Sequence, residues 1–185
     1  MVYLNMFKQL EDEAVQVLYG LIKDLIDKNT TNILEVGTYA GQTTVQICAA
    51  AAEKNEWARI ISIDKNRHAF SPSAEDSLKA NNLRNYSVIF GNLAKRFEEN
   101  IIRSNIIYID RFHNEIDSKL EIIKKNIIVP TKVVFRNPKK TGSNPFDVTE
   151  FAPEVKPRAR KKSTSIKEKV KEEVKEPIQN KKATP

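Results

Sequence analysis

An α/β fold with a parallel sheet and helices on both of its faces follows from three observations. Short β-branched runs alternate with amphipathic helical stretches along the first 137 residues. A glycine turn, Gly37 to Gly41, joins the first apolar run to an apolar helix. The later runs end in polar residues, Asp64, Gly91-Asn92 and Asp110. Such alternation demands crossover helices, and right-handed crossovers place the C-terminal ends of the strands along one edge.

Each element has its own signal. Residues 5–28 carry Leu10, Ala14, Val17, Leu18, Leu21, Ile22 and Leu25 at three- and four-residue steps, which predicts an amphipathic helix. Ile33, Leu34 and Val36 form a strand apolar enough for the centre of a sheet. Gly37 sits where that strand must turn and Gly41 where a second backbone must come close, two demands glycine meets without steric cost. Thr43 and Thr44 open a helix through Val45, Ile47, Cys48 and an alanine run.

Residues 58–64 predict the second strand, 71–82 a helix, and 85–90 the third strand. Residues 93–102 follow as a helix and 105–110 as the fourth strand. Residues 114–125 form a charged amphipathic helix, and a fifth strand begins near Thr131, after Pro130. Trp57 is expected to pack at a helix–strand junction, and His68 to lie in a surface loop.

From Asn137 the composition changes. A Pro/Lys/Gly/Ser linker leads into a tail rich in Lys, Glu, Ser, Thr and Pro, with few large apolar residues. The expected organisation is a folded domain over 1–137, truncated after about five strands, and a largely disordered basic tail over 138–185. Charge divides the same way. Residues 1–135 hold 17 Lys/Arg and 17 Asp/Glu, whereas residues 136–185 hold 14 and 7, so the whole formal excess of +7 lies in the last fifty. A neutral core with a basic appendage excludes a fold built to grip nucleic acid through its own surface and suggests an electrostatic tether. The cluster over 156–162 would bind nucleic acid or an acidic partner, but lacks aromatics for base stacking. The single cysteine, Cys48, excludes an intrachain disulfide and reads as a small core residue. No signal-peptide pattern opens the sequence and no apolar run nears the ~20 residues of a membrane span, so a soluble cytoplasmic protein is expected.

Two glycines four apart are not the dinucleotide fingerprint, which needs three. The longer string Ile33-Leu34-Glu35-Val36-Gly37-Thr38-Tyr39-Ala40-Gly41 is more specific. It resembles the first motif of the class I S-adenosylmethionine-dependent methyltransferases, in particular the small-molecule O-methyltransferases of the catechol and caffeoyl-CoA type. The resemblance covers about residues 14–137 and implies a Rossmann-like sheet with S-adenosylmethionine as cofactor. It implies that Gly37, Thr38, Tyr39 and Gly41 hold the methionine part, with Glu35 orienting it. Asp64, at the end of the second strand, is placed to accept hydrogen bonds from both ribose hydroxyls; the bland alternative is a strand-terminating surface acid. Asn92 meets the adenine edge or simply occupies a turn.

Asp110 and His113 are the candidate catalytic residues. Asp110 would bind a metal, orient substrate, or act with His113 as a proton acceptor; the alternatives are a structural acid and a loop histidine. Metal-dependent relatives carry an Asp-Asn pair after the fifth strand, where this chain has Arg136-Asn137. A cation replacing a hard oxygen ligand argues against a metal site. The expected function is methyl transfer to oxygen on a small acceptor. The alternative is a catalytically degenerate binding or scaffold module whose tail does the tethering. A third arrangement has an oligomer completing the shortened acceptor half.

Overall fold

The computed structural model describes residues 12–39, 41–67, 73–110, 115–137, 139–140 and 144–154. Helix α1 (Asp12–Leu25) leads to β1 (Asn32–Val36), α2 (Gln42–Lys54), β2 (Arg59–Asp64), α3 (Ala74–Ala80), β3 (Tyr86–Phe90), α4 (Leu93–Ile101), β4 (Ile106–Ile109), α5 (Ile116–Asn126), β5 (Thr131–Arg136) and β6 (Phe146–Phe151). The six strands form one sheet in the order β3-β2-β1-β4-β5-β6. All neighbours pair in parallel except β5 and β6.

Local chemistry sets the boundaries. The stripe of α1 buries Leu18 and Ile22 completely. That helix stops where Asp27 accepts the Asn29 amide at 2.8 Å, an Asx turn that competes with helical bonding. Ser73 caps α3 in a reciprocal capping box with Asp76. The Asn92 side chain caps α4 by accepting the Lys95 amide at 3.1 Å.

Alternation along the strands sorts side chains onto two faces. Ile33, Ile60, Ile106, Tyr108 and Val134 pack with Leu18, Ile22, Ile47 and Leu78, the face covered by α1, α2 and α3. Leu34, Val36, Ile107, Ile109 and Val133 pack with Phe97, Ile101 and Ile123 from α4 and α5. Cys48 lies in the first layer, where burial pushes its thiol well up, as suits an inert core residue.

Two expectations change. The sheet does not stop at five strands: β6 runs antiparallel to β5 with Arg136 opposite Phe146, inside residues assigned to the tail. A compact unit runs through Glu154. The sequence hides β6 because its alternation is imperfect (Phe146-Asp147-Val148-Thr149-Glu150-Phe151) and a Pro/Lys/Gly/Ser stretch precedes it. At the two ends of that stretch the Asn137 amide donates to the Pro145 carbonyl at 2.8 Å. Trp57, expected to pack, is 82% exposed at the turn before β2. The tail over 155–185, the 5–11 part of the first helix and His68 lie outside the described residues.

Candidate functional site

The chain runs outward from β1 to β2 and β3, then returns to lay β4 on the other side of β1. That reversal opens a crevice beyond the C-terminal ends of β1 and β4, where α/β sheets bind their ligands.

The turn after β1 is built on left-handed backbone. Gly37 has φ +103°, Tyr39 +46° and Gly41 +82°. The Gly37 amide donates to the Ile63 carbonyl at 2.9 Å, tying the turn to β2, and the Gly41 amide closes it onto the Thr38 carbonyl at 2.8 Å. A Cβ on Gly41 would lie 2.6 Å from Ala74 Cα, so the start of α3 comes as close as the sequence requires. Gly41 is the N-cap of α2 and, having no side chain, contributes no side-chain cap of its own. Ala40 lies outside the described residues.

Beneath the turn sits Glu35, completely buried. The hydroxyls of Thr44 and Ser62 each donate to its Oε2 at 2.5 Å, and Thr43 donates to Oε1. Thr38 and Ser62 join their hydroxyls at 2.5 Å. Burial pushes the Glu35 carboxyl up to about 7; the three hydroxyls pull it back, and the Asp110 charge pushes it further up. This acid thus clamps β1, β2, the turn and α2 together from below. The hydroxyl cage was missed from the sequence. Its signal was Ser62, a polar residue two before Asp64 in an apolar strand, and the Thr43-Thr44 pair eight and nine residues after Glu35.

Asp64 ends β2 only 2% exposed. Its Oδ2 accepts the Tyr39 amide at 2.8 Å and its Oδ1 the Lys65 amide at 2.6 Å. Its carbonyl accepts the Gly91 amide at 3.0 Å, which brings the β3 terminus alongside. Asn92 is exposed, and its side-chain oxygen serves α4 as a cap.

Asp110 follows β4, with its amide on the Val36 carbonyl at 3.2 Å. The buried Tyr108 hydroxyl donates to Asp110 Oδ1 at 3.2 Å. Burial pushes that hydroxyl well above its usual range, the Asp110 and Glu35 charges add to it, and Arg136 pulls it back. The Tyr108 ring meets Phe146 of β6 edge-to-face, centroids 6.1 Å apart. His113 lies outside the described residues. Asn137 turns to the hairpin: its amide nitrogen donates to Asp147 at 2.6 Å and its oxygen accepts the Lys139 amide at 2.9 Å. Among the described residues no three His, Cys, Asp or Glu side chains gather as a metal site.

Strand alternation explains the grouping. Ile33 and Glu35 share a face, as do Ile60, Ser62 and Asp64, and Ile106, Tyr108 and Asp110. The site therefore lies on the α1–α3 side of the sheet. Two cavities of about 220 and 340 Å³ open at the opposite edge, beside Thr131 and Trp57, and contain none of these residues.

No family model and no curated protein matches this chain. Solved structures do. The O-methyltransferase TomG from Streptomyces achromogenes, solved with S-adenosylmethionine, superposes with a TM-score of 0.56 at 17% identity, over 72% of this chain and 63% of its own. An O-methyltransferase from Bacillus cereus, solved with S-adenosylhomocysteine, gives 0.56 at 17% identity, over 69% and 57%. A precorrin-6y methyltransferase from Geobacter metallireducens gives 0.53 at 14% identity, over 70% and 65%. The chain thus spans less than two thirds of each. The fold is the Rossmann-like α/β fold that these methyltransferases share.

Proposed function

We propose that this chain binds S-adenosylmethionine at the crevice between β1 and β4 and transfers its methyl group to an oxygen of a small acceptor. One observation carries the reading: the near-completely buried carboxylate of Asp64, oriented by the Tyr39 amide, stands beside a turn where a Cβ at Gly41 is excluded. A carboxylate so placed suits a ribose diol, and the packing of Ala74 against Gly41 holds the turn beside it in shape. Gly37, Thr38, Tyr39 and Gly41 would then hold the methionine moiety, Glu35 would hold the turn in shape, and Asn92 would lie near the adenine. The cofactor supplies an electrophilic methyl on a sulfonium, and the solved neighbours that carry it or its product support the assignment.

Transfer by direct displacement asks the protein mainly to align the acceptor. Asp110 is the group at the β4 terminus able to orient an acceptor hydroxyl or take its proton, and His113 is its proposed companion. In this reading a second subunit completes the acceptor side. Calorimetry with S-adenosylhomocysteine tests the reading. Micromolar binding by the wild type, lost in Asp64→Ala, supports it; no binding by folded wild type ends it.

A second reading rests on charge. Residues 1–154, the compact unit, hold 20 basic and 20 acidic residues, while 155–185 hold 11 and 4. In that reading the domain is a scaffold in the cytoplasm, and the tail tethers it to nucleic acid. Removing 155–185 would then abolish salt-sensitive binding to DNA or RNA while Asp64→Ala left it intact.

A further inference from the structure

We infer that Arg136 is an anion-reading residue of the acceptor side, so the methyl acceptor carries a carboxylate or phosphate group. The acceptor assignment rests on the methyltransfer reading; the anion site does not.

Tyr108 pairs with Val134 and Ile109 with Phe135, so the next pair brings Arg136 of β5 beside Asp110. Val134 and Tyr108 share the α1–α3 face, and alternation puts Arg136 on that face too. Across the strand ends the face thus reads Asp64, Glu35 a step below, Asp110, then Arg136: acids toward the cofactor side, a guanidinium beyond them.

The Arg136 side chain is partly buried, yet among the described residues its guanidinium makes no hydrogen bond and no ion pair. The neighbouring cation behaves differently: Lys140 reaches Asp147 and donates to the Phe146 carbonyl at 2.9 Å. The local carboxylates are engaged elsewhere, Asp147 by Lys140 and Asn137, and Asp110 by the Tyr108 hydroxyl. A guanidinium that has lost part of its hydration without gaining a partner is poised for one. Its planar fork of donors matches carboxylate and phosphate oxygens in a bidentate way that an ammonium cannot. Its place at the end of β5, one strand beyond Asp110, puts such an anion on the far side of the proposed base from Asp64.

A carboxylate could also come from the cofactor's own amino-acid end, and the test separates the two. The Nε–Hε resonance of Arg136 in the full chain is followed by NMR during titration with inorganic phosphate and with acetate at constant ionic strength, with and without saturating S-adenosylhomocysteine. A saturable shift that persists with S-adenosylhomocysteine bound, is lost in Arg136→Gln and is weakened in Arg136→Lys, supports the proposal. In that case the affinity of Arg136→Gln for S-adenosylhomocysteine stays within about threefold of wild type. Absence of a saturable shift in the wild type overturns the anion site. Competition between phosphate and S-adenosylhomocysteine, with roughly a tenfold loss of S-adenosylhomocysteine affinity in Arg136→Gln, assigns the guanidinium to the cofactor and overturns the acceptor class. Wild type that takes phosphate at Arg136 but never binds S-adenosylhomocysteine leaves the anion site standing and removes the methyltransfer reading.

Discussion

The backbone amide of Tyr39 donates to Asp64 Oδ2 at 2.8 Å, joining the turn after β1 to the end of β2. Tyr39 holds a left-handed conformation, φ +46°, that a bulky residue adopts only at a cost. A charge-assisted bond to a buried carboxylate offsets that cost and fixes the carboxylate's direction. Asp64→Ala should therefore weaken the fold as well as any ligand. It leaves the Tyr39 and Lys65 amides without their acceptor, an expected loss of about 1–3 kcal/mol in urea denaturation. Asp64→Asn retains a carbonyl oxygen for one amide and should cost less. An unchanged denaturation midpoint in Asp64→Ala would refute the link.

The turn makes an opposite prediction for two glycines. Gly41→Ala combines a left-handed φ of +82° with a Cβ pressed on Ala74, so about 2–4 kcal/mol of destabilisation is expected. Gly20, inside α1, has nothing within 4 Å of an added Cβ. Gly20→Ala should stabilise by about 0.5–1 kcal/mol through helix propensity. Thermal unfolding of the pair should move in opposite directions.

Glu35 gives the fold a pH dependence. Its carboxyl is raised from an ordinary 4.5 to about 7, chiefly by burial. The native state therefore binds a proton that the unfolded chain has released between those values. Stability from this group is complete below about 4.5, falls as pH rises, and is gone above about 7. The loss is on the order of a few kcal/mol. The lowered carboxyls, Asp27, Glu53, Asp76 and Asp147, act with the opposite sign and at more acid pH. Denaturation from pH 4.5 to 7.5 should slope downward in the wild type and lose most of that slope in Glu35→Gln.

These residues show what could be read from the chain and what could not. The parallel pairing and the common edge of the strand ends followed from alternation, because Ile33-Leu34, Ile60-Ile61 and Ile106-Ile107 are short apolar runs each followed by a helix signal. Gly41 was legible because close approach has a single-residue signature, and Ala74 supplies the approaching backbone. The Glu35 cage was not, since Thr43, Thr44 and Ser62 meet only once α2 folds back over β2. The sixth strand escaped because antiparallel pairing to β5 depends on a partner thirteen or more residues away in the hairpin register for most of its length, not on local propensity. Asn92 shows the reverse: its turn position was legible, and capping α4 is the local reason for it.

Trp57 is the only tryptophan, and it is 82% exposed at the strand edge opposite the candidate site. Its fluorescence should be water-like and readily quenched by acrylamide. Trp57→Ala should change stability by no more than about 0.5 kcal/mol. Binding of S-adenosylhomocysteine should leave the emission nearly unchanged, so a large spectral shift on binding would place the ligand at the wrong edge.

Truncation at residue 137 and truncation at residue 154 should behave differently. A chain ending at residue 137 loses β6, and with it the Phe146 ring that packs on Tyr108 and the ladder that covers β5. Loss of one buried phenylalanine alone costs about 3–5 kcal/mol. Small domains hold only about 5–15 kcal/mol in total, so this chain should unfold without cooperativity or aggregate through the bared β5 edge. A chain ending at residue 154 keeps the whole sheet and carries equal numbers of basic and acidic residues, 20 each. It should melt within a few degrees of the full chain and bind S-adenosylhomocysteine equally well. If the 137-residue chain instead melts cooperatively at the same temperature, β6 is dispensable, and Tyr108 holds Asp110 without help from the hairpin.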